Sequence, residues 1–141
     1  MGAAAKRYGI NDDDWEQLIA ATIKVLERVA SLERVTTYSD LNREISDRTG
    51  LPRFDFSHPE GRNAMSELLG EVVERTVDEL GAMLSAVVLY IDNNNAGPGF
   101  YHLATQVRGL PADASDDVKL EFWTNETKLI QATCKAKRRR R

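Results

Sequence analysis

The chain has 141 residues, of which 42% are hydrophobic and 29% charged, a composition typical of one globular domain. Its single cysteine, Cys134, excludes an intrachain disulfide and favours a reducing, cytoplasmic compartment. The longest apolar run, at 82–91, has about half of the ~20 residues that a membrane helix needs, so we expect no membrane span.

The charge is distributed unevenly along the chain. The formal net charge is −3, yet the last seven residues hold six of the 19 basic side chains. They are Lys135, Lys137, Arg138, Arg139, Arg140 and Arg141. Removing these six leaves 13 basic residues against 22 acidic ones, so residues 1–134 carry a formal charge of −9. We predict a flexible leader at 1–11, one globular α+β domain at 12–134 and a disordered basic tail at 135–141.

Apolar periodicity, capping residues and turn residues predict the elements in chain order. They are a long helix after the caps at 11–14, a short strand at 34–38, a helix capped by Ser39 or Asp40, a loop at 53–62, a helix from Pro59 or Asn63 to Leu80, a buried strand at 82–91, a turn at 92–99, a helix from Phe100 and a helix capped at 115–117.

This order predicts an α+β fold that is mainly helical. Its core is expected to be winged-helix-like, with a long helix, a short strand, two helices and a buried strand with its turn, followed by C-terminal helices. A second wing strand is missing from the pattern because the chain becomes helical again at Phe100.

Two short segments carry a resemblance to a known family. Residues 35–41 read Val-Thr-Thr-Tyr-Ser-Asp-Leu, and residues 62–65 read Arg-Asn-Ala-Met. They resemble the winged-helix half of alkylguanine alkyltransferases and alkyltransferase-like proteins, in which an Arg-bearing helix enters DNA. The family's Pro-Cys-His-Arg active-site sequence is absent, and residues 83–87 read Met-Leu-Ser-Ala-Val. The resemblance therefore implies DNA contact without alkyl transfer.

A second resemblance covers residues 60–125. The stretches Leu-Ser-Ala-Val-Val at 84–88 and Pro-Gly-Phe at 98–100, with Phe-Trp at 122–123, are similar to small uncharacterised proteins of actinobacteria and their phages. This resemblance implies a bacterial or phage setting and supplies no mechanism.

No motif identifies a catalytic or metal site, and we predict no cofactor. The two histidines, His58 and His102, belong to no Cys/His cluster with metal-ligand spacing. Asp55 and His58 with a serine, Ser57 or Ser85, leave a hydrolytic triad open as a minor alternative, because triads are defined by geometry.

The turn at 92–99 leads into two aromatic residues. Counted from Asp92, residue 103 is Leu where a calcium-binding EF-hand loop needs Glu, so a structural turn is favoured. A loop that follows a rigid buried strand is a common contact site. We therefore predict a partner-contact loop formed by Gly97, Gly99, Phe100 and Tyr101.

The basic tail is suited to releasing counterions from a nucleic acid. Arg62 and Asn63, at the start of the second long helix, are of the types that read bases, although acidic residues line the exposed face of that helix. The leading hypothesis is a non-enzymatic bacterial or phage nucleic-acid-binding protein that uses the tail, with Arg62 and Asn63 as lesser contacts.

The alternative is a protein-interaction module, such as a phage-encoded inhibitor or adaptor of a host protein, that uses the acidic domain surface. The tail has alternative partners too: the acidic surface of its own domain, another protein or an anionic lipid surface. A homodimer is compatible with the sequence, and an enzyme is the third class.

Overall fold

The computed structural model describes residues 6–90 and 95–140. Its elements are β1 (Lys6–Arg7), β2 (Ile10–Asn11), α1 (Asp12–Ser31), β3 (Thr36–Thr37), α2 (Tyr38–Thr49), α3 (Pro59–Leu80), a 3₁₀ turn (Leu84–Val87), β4 (Val88–Leu89), α4 (Pro98–Arg108) and α5 (Asp116–Arg139). The prediction of a mainly helical α+β fold is confirmed. Among the described helices, none is both long enough and apolar enough to cross a membrane.

The ends of most helices follow local capping rules. Asn11 accepts a hydrogen bond from the Asp14 backbone N–H at 2.8 Å, and three aspartates in the first turn of α1 favour its dipole. Gly81 ends α3 with φ of 70°, as predicted. The prediction that Ser39 or Asp40 caps α2 is wrong, because Thr37 is the N-cap. Its hydroxyl accepts from the Asp40 N–H at 3.1 Å while its backbone is still extended in β3.

Helix α1 lies at the centre of the molecule and packs against α2, α3, α5 and the 3₁₀ turn. Its apolar face supplies side chains that are almost completely buried, because the apolar residues recur at helical spacing. The largest fully buried side chains of the core are Leu18, Ile19, Leu26, Leu41, Ile45, Met65, Leu68, Met83, Leu84 and Ile130.

The prediction of a buried strand at 82–91 is wrong for most of the residues described there, 82–90: Leu84–Val87 is a 3₁₀ turn, and the strand is limited to Val88–Leu89. It pairs in parallel with β3. Side chains of α5 satisfy the backbone of the turn: Trp123 Nε1 and Thr127 Oγ1 both donate to the Ala86 carbonyl, at 2.9 and 3.2 Å. These partners lie 37 and 41 residues away in sequence, which is why an all-apolar run alone did not predict the turn.

A buried carboxylate on α5 connects this helix to the 3₁₀ turn and to α4. Glu126 is 3% exposed, and its Oε2 accepts from the Met83 N–H at 2.9 Å. Arg108 of α4 binds the same carboxylate with two contacts, Nε to Oε2 at 2.9 Å and Nη2 to Oε1 at 3.1 Å. A buried carboxylate is tolerated when it is paired and hydrogen-bonded in this way.

Residues 6–11, predicted as part of a flexible leader, form a two-stranded antiparallel ladder with Lys6 opposite Asn11. Tyr8 and Gly9 have φ of 55° and 78°, the left-handed values that a two-residue hairpin turn requires. The Tyr8 ring also stacks on Trp15, with ring centroids 6.3 Å apart. Residues 1–5 of the predicted leader lie outside the described residues.

Candidate nucleic-acid interface

The basic C-terminal segment is helical. It was predicted to be disordered from residue 135, but α5 continues through Arg139, and Arg140 is its C-cap. Cations in the last turn of a helix interact favourably with the negative end of its dipole. Ion pairs with α1 and α3 provide a second reason for order, and residue 141 lies outside the described part of the chain.

Two lysines of this segment bind acidic residues of the domain itself. Lys137 Nζ lies 2.8 Å from Glu27 Oε2 and 3.6 Å from Glu79 Oε2. Lys135 Nζ is hydrogen-bonded to Glu33 Oε1, and this bond holds the pKa of the Glu33 carboxyl below its usual value. These lysines therefore match the predicted alternative in which the tail binds its own acidic domain.

A groove of about 360 Å³ separates the C-terminal ends of α1 and α5; we call it the α1–α5 groove. It is lined by Lys24, Glu27, Arg28, Ser31, Cys134, Lys137 and Arg138. Four of these seven side chains are cationic, and the single acid among them, Glu27, is already paired with Lys137. The lining therefore carries an excess of positive charge although the chain as a whole is acidic.

The cations at the rim of the groove are accessible. Lys24, Arg28 and Arg138 are exposed, and Arg139 and Arg140 continue the basic surface beyond the groove. Arg28 lies 3.8 Å from Glu44, and both side chains are well exposed, so this pair contributes little. Lys24 and Arg28 are one helical turn apart on α1, which places them on the same face.

Cys134 lies at the base of the groove and is 2% exposed. Burial, with a smaller contribution from the Glu27 charge, raises the pKa of its thiol to about 11. The thiolate is the reactive form of cysteine, so this side chain is a packed apolar group at neutral pH and not a nucleophile.

Arg62 and Asn63 lie far from this groove. The Arg62 guanidinium donates to the Phe56 carbonyl at 2.7 Å and is half-buried, whereas Asn63 is exposed. Glu79, which Lys137 contacts, is near the other end of α3, so about 26 Å of helix separates it from Arg62. The structure thus does not bring these two residues together with the basic segment.

The predicted partner-contact loop faces largely inward. Gly97 is buried against Tyr90, since a Cβ built on it would lie 2.5 Å from the Tyr90 ring. Phe100 is 8% exposed and belongs to the core, and Tyr101 is half-buried. Gly99 is the exposed member of the four. The residues at 91–94, including most of the predicted Asp-Asn turn, lie outside the described residues.

Asp55, Ser57 and His58 are neighbours but do not form a catalytic relay. The Ser57 hydroxyl donates to Asp55 Oδ1 at 2.5 Å, which lowers the pKa of the Asp55 carboxyl, and His58 Nε2 lies 3.4 Å from Asp55 Oδ2. A triad needs the hydroxyl on the histidine, whereas here both groups bind the carboxylate. Ser85 lines a different cavity. Nor does the described part of the chain contain a group of three metal-ligating side chains.

Sequence reasoning missed Lys24 and Arg28 as members of the candidate interface. Their spacing of four residues on α1 places them on one helix face. Their contribution depends on α1 packing beside α5, 110 residues later in the chain, as the Glu27–Lys137 contact shows.

No protein family, no curated protein and no solved structure matches this chain. Both resemblances described under the sequence analysis therefore stay predictions.

Proposed function

We propose that this protein is a non-enzymatic nucleic-acid-binding protein that contacts the phosphate backbone with the α1–α5 groove and the arginines beside it. One observation carries the proposal: Lys24 and Arg28 of α1 converge with Arg138 of α5 on a groove in which Glu27, the single acid among the described lining residues, is paired with Lys137. Guanidinium groups match the geometry of phosphate oxygens; Arg138 and Arg139 end α5, and Arg140 is its C-cap.

The charge distribution supports contact at one end of the molecule. Lys135 and Lys137 are occupied by acidic partners of the domain, so the accessible cations of the groove and of the surface beside it are Lys24, Arg28, Arg138, Arg139 and Arg140. If each neutralises one phosphate of duplex DNA, the logarithm of the binding constant should fall with the logarithm of salt concentration at a slope of about −4 to −5. The acidic remainder of the chain repels phosphate and thereby orients the complex.

The winged-helix arrangement and the bacterial or phage setting belong to the same proposal. The order α1, β3, α2, α3 is the one expected, and β3 pairs with β4. Arg62 and Asn63 would then be a lesser second contact. At about 3.4 Å per nucleotide step, the 26 Å along α3 correspond to about 8 base pairs, so only a longer duplex could reach both ends.

The test compares charge reversals, because deleting residues 135–141 would also remove the ion pairs of Lys135 and Lys137 that fasten α5. Arg138→Glu changes the groove, and Lys128→Glu makes the same sign of change at an exposed position of the same helix about 15 Å away. Binding of a fluorescent duplex and a single strand is measured by anisotropy at several salt concentrations.

We expect Arg138→Glu to weaken binding about tenfold at 0.1 M salt, since one phosphate contact accounts for about that factor. Lys128→Glu should have a much smaller effect. Equal effects of the two variants would show that only the net charge matters and would refute a role for the groove.

A second candidate function, protein interaction, rests on a cleft of about 380 Å³ between the start of α1, the loop at 51–55 and the start of α3. Leu18 contributes to its apolar lining, and the carboxylates of Asp14, Asp55 and Glu60 outnumber the one arginine among the described lining residues, Arg53. Its volume lies in the usual range of ligand pockets, and the carboxylates favour a basic segment of a host or phage partner. For such a partner, Asp14→Lys should weaken binding and leave oligonucleotide binding intact.

A further inference from the structure

A small polar cavity lies where α2, α3 and α4 meet, away from the α1–α5 groove. Its volume is about 20 Å³, enough for one water molecule or one oxygen atom of a ligand. Tyr38, Ser66, Ser85 and Gly99 are among the residues that line it. Ser66 and Glu79 lie 13 residues apart on α3, so about 20 Å of helix separates this cavity from the contact of Lys137 with Glu79.

Ser85 gives this cavity an unfilled hydrogen-bonding requirement. The residue is 5% exposed, and its Oγ is the buried side-chain oxygen that finds no hydrogen-bond partner among the described residues. Buried hydroxyl groups in folded proteins almost always have a partner, so an orphan hydroxyl that lines a cavity indicates a guest that accepts from it or donates to it.

The N-terminus of α4 lies at the same cavity. Its N-cap, Gly97, has no side chain, no side chain of residues 6–90 or 95–140 caps the helix, and Pro98 at the first position has no N–H. The backbone of Gly99 is therefore the first that can offer an N–H group at the positive end of the helix dipole. A Cβ built on Gly99 would lie 3.7 Å from Ser66 Oγ, so these two residues lie side by side in the lining of the cavity.

The hydroxyl groups complete the set of possible donors. Tyr38 and Ser66 share one hydrogen bond of 3.2 Å between their hydroxyl oxygens. When Tyr38 donates in this bond, the Ser66 hydroxyl keeps its own proton and can donate it to an atom at the opening, while Ser85 donates to an atom inside. Donors from two sides with a helix N-terminus favour a negatively charged oxygen over a neutral one.

We propose that the cavity is a subsite for a phosphate group, which inserts one oxygen between Ser85 and the N-terminus of α4. A tetrahedral phosphate leaves its other oxygens at the opening, within reach of the Ser66 side. A carboxylate inserted in the same way leaves one oxygen at the opening, whereas a phosphate leaves three. Among the residues that the structure describes, no cationic side chain lines the cavity, so we expect binding in the millimolar range.

The experiment uses the isotope-labelled full chain and follows backbone amide shifts during titration with inorganic phosphate. Sodium chloride at matched ionic strength is the reference. The amides of Gly99 and Phe100 should move and saturate with phosphate alone, whereas the amide of Val118 at the capped start of α5 should not. A short oligonucleotide with and without a 5′-phosphate then distinguishes a terminal phosphate from a phosphodiester of the backbone.

Two variants test the assignment. Ser85→Ala removes one donor and should weaken phosphate binding several-fold, and Gly99→Ala should weaken it further because the new methyl group narrows the opening beside Ser66. Thr124→Ala, which alters an exposed hydroxyl of α5 bonded only within its helix, is the control.

Shifts identical in phosphate and chloride, or a Ser85→Ala variant that binds phosphate as the wild type does, would overturn the proposal. The first result would mean that an ordered water alone fills the cavity. Because the groove and this cavity use different residues, either result would leave the oligonucleotide test of the α1–α5 groove unaffected.

Discussion

The replacement Glu126→Gln tests whether the buried carboxylate stabilises the packing of α4 and α5 against the turn at Met83. The carboxylate is 3% exposed, accepts one hydrogen bond from the Met83 N–H and one from Arg108 Nη2, and forms an ion pair with Arg108 Nε. Glutamine keeps the shape of the side chain but offers one acceptor oxygen and an NH₂ group that faces a donor. The guanidinium of Arg108 loses its counter-ion on the buried side.

Breaking a buried ion pair by changing one partner costs about 3–5 kcal/mol when the other partner stays buried. The Arg108 side chain is 30% exposed and can turn toward water, so we expect the lower end, about 3 kcal/mol. With an unfolding entropy of about 0.3 kcal/mol/K for a chain of this length, the melting temperature should fall by about 10 °C.

The assay is urea unfolding followed by circular dichroism, with thermal unfolding as a second measurement. Glu121→Gln makes the same chemical change at an exposed position of the same helix and should alter the free energy of unfolding by less than about 0.5 kcal/mol. If Glu126→Gln also costs less than about 1 kcal/mol, the carboxylate does not fasten α4 and α5 to the turn at residue 83.

Further predictions concern three other sites. Lys137→Met leaves the half-buried Glu27 without its counter-ion and should lower the free energy of unfolding by about 1–2 kcal/mol, measured by urea denaturation. Gly97→Ala places a Cβ about 2.5 Å from the Tyr90 ring and should cost about 1–3 kcal/mol in the same assay; an unchanged midpoint would contradict the close packing. Burial raises the pKa of the Cys134 thiol from 9.0 to about 11, so the folded state keeps the proton that the unfolded state loses, and stability should decline between those pH values by roughly 2 kcal/mol. Relative to Cys134→Ala, the wild type should show this extra decline, and parallel pH profiles would argue against it.

The features predicted correctly from sequence depend on neighbouring residues. Asn11 and Ser115 cap their helices through hydrogen bonds that span three residues, and Gly81 ends α3 because a left-handed residue is needed there. The spacing of apolar residues likewise identified the buried face of α1.

The features that sequence reasoning missed depend on contacts between distant residues. The 3₁₀ turn at Leu84–Val87 is stabilised by α5, whose Trp123 and Thr127 bind the Ala86 carbonyl. Order in the basic segment depends on Glu27, which lies 110 residues before Lys137. No short segment of the sequence contains both partners, so the composition of residues 135–141 alone predicted a disordered tail.

The same limit applies to the candidate interface. The six cations at the C-terminus are evident from the sequence. It does not show that, of the five that the structure describes, the two lysines are paired and the three arginines are accessible. Lys24 and Arg28 become part of the groove only when α1 and α5 pack side by side. The inward orientation of Phe100 is likewise a consequence of packing, since exposed and buried aromatic residues look the same in sequence.

The most direct test of the α1–α5 groove is the salt dependence of duplex binding by the wild type and by Lys24→Glu/Arg138→Glu. We predict a slope of about −4 to −5 for the wild type and a shallower one, by about 2, for the double variant, because two phosphate contacts are lost. Two wild-type-like slopes, or a wild type that binds no duplex even at low salt, would contradict the account.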